Sequence, residues 1–167
     1  IPGSWDGFEL AVRAILGQQV SVAAASTLAG RMVERFGVKI CDTDPVTHLF
    51  PRSDQLAEAN IEQIGLPQAR AETVRALARH VADGRLNFDS IQNTEEFRTR
   101  LLEIPGIGDW TAQYIAMRAL NDTDAFPSGD LGLIRAMSLR NAHEITHRAE
   151  AWRPWRAYAA MYLWQPY

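Results

Sequence analysis

The sequence contains one cysteine, Cys41. That excludes an internal disulfide and an iron–sulfur cluster ligated by this chain's cysteines alone. Lysine is equally scarce: of 17 basic residues only Lys39 is lysine, and the other 16 are arginine. Chemistry needing a lysine amine has one side-chain candidate. No apolar run reaches the roughly 20 residues of a membrane span and no signal peptide is visible, so a cytoplasmic location is expected. An overall basic field is missing as well. The formal charge is −3, so a nucleic-acid binder of this composition needs local cationic patches and is expected to bind non-specifically only weakly. Internal repeats and convincing strand alternation are absent too. The chain starts Ile1-Pro2-Gly3 without Met, as expected for the ordered or excised part of a longer protein.

What is present is helical punctuation. The 167 residues suit one good-sized domain or two small lobes sharing a core. Asp6-x-x-Glu9 resembles a capping box ahead of Phe8, Val12, Ile15 and Leu16, which share a helical face. Gly17-Gln18-Gln19-Val20 interrupts that helix. Ser21 caps a second, with Leu28, Met32, Val33 and Phe36 directed at the core and Gly37 ending it. Residues 38–52 read as loop. Ser53 starts a short helix and Asn60 to Gly65 a turn. Pro67 opens a longer helix to about Asp83, whose polar face carries Arg70, Arg75 and Arg79 and reads as solvated. Thr94 opens the next helix, and another follows from about Gly108 to Leu120. After a loop at Asn121–Asp124 a helix begins near Asp130, another runs from about Ala142 to Trp152, and Pro154 opens the last. The fold class is all-α, with roughly nine or ten helices by this reading. Residues 1–20 are candidates to return onto the C-terminal half.

The stretch Leu101-Leu102-Glu103-Ile104-Pro105-Gly106-Ile107-Gly108-Asp109-Trp110-Thr111-Ala112 reads as helix, tight turn, helix. Pro105 stops the incoming helix, and glycine supplies the positive φ and close approach a tight turn needs. The outgoing helix begins with unpaired N–H groups, a natural seat for a phosphate. Trp110 and Tyr114 are four apart and share a face of that helix. Asp130, behind Phe126-Pro127-Ser128-Gly129, falls in the first turn of its own helix, where the dipole favours a carboxylate. An ionised carboxylate suits a reaction that develops positive charge, such as cleavage of an N-glycosidic bond through an oxocarbenium-like state. The aromatic pair suits stacking on a base, best a cationic one. Each feature alone has a plain structural reading: a Gly-rich turn, a helix cap, core aromatics.

Together, Leu-x-x-Ile-Pro-Gly-Ile-Gly-x-Trp-Thr-Ala and Phe-Pro-Ser-Gly-Asp-Leu resemble the helix–hairpin–helix (Gly/Pro…Asp) DNA glycosylase superfamily. The nearest branch is the bacterial 3-methyladenine DNA glycosylase II (alkylbase) type. Ala14-Ile15-Leu16-Gly17-Gln18-Gln19-Val20-Ser21 and Trp152-Arg153-Pro154-Trp155-Arg156-Ala157-Tyr158-Ala159 extend the resemblance over almost the whole chain. It implies two helical lobes around a cleft, approximately 21–100 and 101–167 plus the N-terminal helix. It implies that Asp130 stabilises the oxocarbenium and orients water, and that Trp110, Tyr114 and Trp164 line the base pocket. Gly106, Ile107, Gly108 and Thr111 would hold DNA, with a monovalent cation at the hairpin backbone of Gly106 and Gly108 and no catalytic metal or required cofactor. Damaged double-stranded DNA is the implied partner, bound by a monomer near the bacterial nucleoid.

The resemblance has departures. The position matching the residue that wedges into DNA is Gln19, where the best-known alkylbase enzymes carry an apolar residue, and the resemblance leaves Gln18 or Gln19 as the wedge. An extra N-terminal domain common in such enzymes is absent from this chain, and actinobacterial relatives fuse the module to an alkylation-response regulator. Bifunctional relatives attack the sugar with a lysine where this chain has Trp110, so simple hydrolysis without strand nicking is expected. The lone cysteine sets the chain apart from the iron–sulfur branches. A non-catalytic hairpin that only binds DNA backbone is the alternative. His143-Glu144-Ile145-Thr146-His147 also fits the His-Glu-x-x-His zinc signature. It lacks a downstream third ligand, because residues 151–167 contain no Asp, Glu, His or Cys; it reads as a solvated helix face.

Overall fold

The computed structural model describes residues 1–41, 46–90, 93–139 and 141–165. Within them the fold is built from nine α-helices and two short 3-10 turns. Helix α1 (Gly7–Leu16) starts at Asp6, whose Oδ1 accepts the Glu9 amide at 3.0 Å. Helix α2 (Val22–Phe36) starts at Ser21, whose hydroxyl oxygen accepts the Ala24 amide. Of its expected core residues Met32 is fully buried, while Leu28 and Phe36 are half-buried against the core and Ala29 takes the inner position. One expectation is corrected here. Val38–Lys39 (β1) and His48–Leu49 (β2) pair antiparallel inside the stretch read as loop. Two residues a side are too few to show alternation. Positions 42–45 of that stretch lie outside the described residues.

Helix α3 (Ser53–Ala57) and a 3-10 turn at Ile61–Ile64 lead into α4 (Gln68–Ala82). Helix α5 (Thr94–Leu102) is capped by Asn93, which accepts the amides of Glu95 and Glu96. Then come α6 (Asp109–Ala119), α7 (Leu131–Ala136), α8 (Ala142–Ala149), a 3-10 turn at Glu150–Trp152, and α9 (Arg156–Leu163).

Two apolar clusters hold these helices. The first takes Val12, Ile15 and Leu16 of α1 together with Met32, Val74 and Leu77 of α2 and α4. The second gathers Met117, Phe126, Leu133, Ile145 and Ala160 from α6 to α9. Residues 100 and 101 mark no break: Leu101, Ile104, Ile107, Ala112 and Ile115 continue the first cluster. The passage between clusters lies within α6, where Tyr114 packs against both. The N-terminal segment does return: α1 packs on α6 as well as α4, and the Ser4 amide donates to Arg118 O at 3.0 Å.

The loop before α7 is fastened twice. The buried amide of Gln113 on α6 accepts the Phe126 N–H at 3.0 Å. Upstream, Asp124 accepts from Arg156 Nε at 2.7 Å and from Arg153, and the Ala157 amide donates to Thr123 O. These ties fix where α7 begins.

Candidate active site

Asp130 is the N-cap of α7. Its carboxylate is crowded with donors. Oδ1 accepts the amides of Gly132 (2.8 Å) and Leu133 (3.1 Å) and the indole Nε1–H of Trp164 (2.9 Å). Oδ2 accepts the indole Nε1–H of Trp110 at 2.9 Å. Gly132 permits the arrangement: a Cβ there would sit 2.9 Å from Asp130 Oδ1 and 3.3 Å from Trp164 Cδ1. The fourfold donation was not legible beforehand. Trp110 was assigned to the base pocket, and its polar edge is 20 residues from the carboxylate it serves.

The faces of the same rings build a wall. Trp110 and Tyr114 stack with centroids 5.4 Å apart and planes 9° from parallel. Trp164 leans on Tyr114 at 6.4 Å and 56°. Beside the stacked pair lies an apolar pocket of about 330 Å³, bounded by Leu10, Ala14, Val20 and Val22 of α1, α2 and the loop between them. Asp130, Trp110, Tyr114 and Trp164 thus come together in one place. The aliphatic side of the pocket was missed, because nothing in the spacing of α1 and α2 marks it off from core.

The hairpin lies at the start of α6. Gly106 has φ +92°, and a Cβ there would fall 2.0 Å from Thr73 Oγ1 of α4. Thr73 Oγ1 itself lies 2.9 Å from Pro105 O and 3.0 Å from Ala69 O, so its one proton serves the turn and its own helix. Gly108 caps α6 without a side chain to offer, so the first α6 amides receive no capping oxygen. Gln18 reaches the same place: its Nε2 donates to Gly106 O and to Thr111 Oγ1, each at 3.0 Å. Thr111 is therefore buried beneath the hairpin. Gln19 is exposed, with φ +56°. The two glutamines divide: one is spent on the hairpin and the other is presented to solvent.

The carbonyls of Gly106 and Gly108 each accept one bond already, from Gln18 Nε2 and the Ala112 amide. A carbonyl oxygen has two lone pairs, so each retains one for a cation. The His-Glu-x-x-His stretch lies on α8 with His143 and His147 exposed, and Glu144 accepts the Asn141 side-chain amide at 3.4 Å. No group of three or more His, Cys, Asp or Glu among the described residues converges on a metal-sized site. Lys39 lies exposed on β1. No helix among the described residues is long and apolar enough to cross a membrane.

The arginine row of α4 departs from its expected solvated face. Arg75 is tucked in, its side chain only 13% exposed, with Nη2 2.6 Å from Glu62 and 2.8 Å from Glu72. The hydrogen bond from Arg75 holds the Glu62 carboxyl down at about 2.

A family model described as "HhH-GPD superfamily base excision DNA repair protein" matches residues 12–156. The chain is 45% identical over 169 residues to "Probable bifunctional transcriptional activator/DNA repair enzyme AlkA" of Mycobacterium tuberculosis, covering 98% of this chain and 34% of that protein. It is 36% identical to DNA-3-methyladenine glycosylase 2 of Escherichia coli K12, covering 98% of this chain and 59% of that one. Among solved structures it resembles a 3-methyladenine DNA glycosylase from Archaeoglobus fulgidus, with TM-score 0.82 and 26% identity over 98% of this chain and 59% of that one. The chain thus spans about a third to three fifths of the length of these relatives.

Proposed function

The chain belongs to the HhH-GPD superfamily of base excision DNA repair proteins, and from that footing we propose that it is a monofunctional DNA glycosylase. Its substrate is duplex DNA carrying an alkylated purine of the 3-methyladenine or 7-methylguanine type. It turns that nucleotide out of the helix and hydrolyses the bond between purine and sugar, leaving an abasic site. The observation that carries this reading is the carboxylate of Asp130, held by four N–H donors next to a stacked aromatic wall. Backbone binding alone would need neither.

In this reading the hairpin amides around Gly106, Ile107 and Gly108 seat a phosphate of the damaged strand. A monovalent cation on the free lone pairs of Gly106 and Gly108 would add positive charge beneath it. Gln19, free of the tie that occupies Gln18, fills the gap left by the extruded nucleotide and offers its amide to the orphan base. The extruded purine rests on Trp110 and Tyr114, with Trp164 behind. A methylated, cationic purine gains from the ring faces and departs as a neutral base, taking the electron pair of the glycosidic bond. It needs no acid catalyst. The sugar is left as an oxocarbenium facing Asp130.

Asp130 stabilises that charge through space. Oδ1 already accepts three bonds, so a water is oriented by the remaining lone pair of Oδ2. The water oxygen bonds to C1′, its surplus proton passes through Oδ2 to solvent, and the abasic sugar results. No cofactor enters, and a lysine adduct has no donor at the position of Trp110.

The test is release of free 3-methyladenine from methylated duplex DNA by the protein alone, followed by a check for strand breaks. Base release with an intact backbone is expected. No release of any alkylated or deaminated base would overturn the reading in favour of a module that only grips DNA.

A further inference from the structure

The three arginines of α4 have two different fates. Arg75 is consumed by Glu62, Glu72 and the carbonyl of Ala59. The side chains of Arg70 and Arg79 make no hydrogen bond or ion pair among the described residues. Both instead border a groove of about 810 Å³ whose other wall is Gln18, Gln19, Pro105 and Gly106. The one acid lining it, Glu72, shares Arg75 with Glu62, and the hydrogen bond from Arg75 lowers the Glu72 carboxyl below its ordinary range. The groove therefore presents two guanidinium groups without a hydrogen-bonded partner and one carboxylate, itself paired with Arg75.

The spacing fits a polyanion. Nine residues of α-helix separate Arg70 from Arg79 by about 13.5 Å along the axis. One strand of duplex DNA carries a phosphate about every 3.4 Å of its axis, so this axial component equals about four phosphate intervals, with the two side chains half a helical turn apart. The groove includes Gln19 and Gly106, the two points where the proposed function brings DNA to the surface, and is lined along α4.

We propose that this groove is a second backbone seat, in which Arg70 and Arg79 neutralise phosphates flanking the gap that Gln19 fills. The proposal rests on the glycosylase reading for its DNA partner. It also answers a difficulty of composition: a chain of charge −3 has no general attraction for DNA, and two free cations beside the wedge supply a local one. Arg75, shared by Glu62 and Glu72, offsets part of their opposing charge.

Counterion release makes the inference measurable. Each phosphate neutralised adds about 0.9 to the slope of log affinity against log salt, so removing two contacts lowers the slope by about 1.8. Binding to a duplex with an uncleavable abasic analogue is measured from 50 to 200 mM salt for the parent, Arg70→Gln/Arg79→Gln, Arg70→Lys/Arg79→Lys and Arg148→Gln. Over that fourfold range the parent should lose about tenfold more affinity than the double glutamine variant. The lysine pair should restore the parental slope, because release counts charge. Arg148, exposed on α8 and outside the groove, should leave it unchanged.

An unchanged slope in a double variant that melts like the parent overturns the seat. Base release by the parent together with that result sinks the seat alone. Absence of base release with a reduced slope sinks the glycosylase reading and leaves the seat standing.

Discussion

Replacing Asp130 with Asn changes the charge at the site while keeping its shape. The structure dictates how the amide will sit. Three donors converge on Oδ1, from Gly132, Leu133 and Trp164, so the amide oxygen takes that position and α7 keeps its cap, since Asn caps about as well as Asp. The NH₂ group then occupies the place of Oδ2 and faces the Trp110 indole N–H, donor against donor across 2.9 Å. A partly buried donor left unpaired costs about 1 to 2 kcal/mol, so a fall of roughly 2–8 °C in melting temperature is expected. The kinetic effect is larger. A unit charge about 4 Å from the developing oxocarbenium is worth about 4 kcal/mol at an effective dielectric near 20, and its loss slows the step about 1,000-fold. The hairpin and Gln19 are untouched, so affinity for an abasic-analogue duplex should stay within about threefold. Single-turnover release of 3-methyladenine, with binding measured on the same preparations, checks both halves. A variant that excises within tenfold of the parent refutes the electrostatic argument. One that loses DNA binding in step with excision refutes the separation of grip from chemistry.

Four further outcomes are expected. Trp110→Phe keeps the stack on Tyr114 but deprives Oδ2 of its donor; excision should fall about tenfold, the rate equivalent of a misplaced charge-assisted bond worth about 1.4 kcal/mol, with the parental rate in a single-turnover assay counting against the role. Gly106→Ala must place a methyl against Thr73 Oγ1 at φ +92°; a loss of about 3 kcal/mol, or roughly 6–12 °C in a melting scan, is expected. The Glu62 carboxyl is held at about 2 in the fold, by its bond from Arg75, against an ordinary 4.5. A depressed pKa contributes stability that is complete above pH 4.5 and disappears as pH falls towards 2, so Glu62→Gln should flatten acid unfolding in that window. Borohydride treatment during turnover should trap no protein–DNA adduct through a side chain, because the one lysine is on β1; an adduct that disappears in Lys39→Arg would contradict simple hydrolysis.

How much of this could be read from residues alone follows the range of the interactions. Capping residues act over three positions, so Asp6 and Ser21 mark helix starts that the structure keeps. The hairpin is legible for the same reason: Pro105 and Gly106 state locally what the backbone must do. Asp130 is legible because the Phe-Pro-Ser-Gly loop ends on it. What resisted reading joins distant segments. Arg75 looked solvated because Glu62, its strongest partner, comes from the preceding 3-10 turn and not from α4. The indole of Trp164 finds Asp130 across 34 positions, and Gln18 finds Thr111 across 93. The β1–β2 pair is too short for any pattern to reveal it. Side-chain type suggested each of these residues, but only the packing of α1, α4 and α6 decides what it touches.

The bridge made by Gln18 has a geometric consequence. One amide nitrogen reaches both Gly106 O and Thr111 Oγ1, so the loop carrying Gln19 cannot drift from the turn that carries Gly106. The two behave as the jaws of a caliper set to a single opening. In the proposed function, DNA laid across such a pair would be measured: with a phosphate lodged at one jaw, the nucleotide at the other would be fixed by count along the strand. The residue after Gln18 would then probe one step of the duplex at a time.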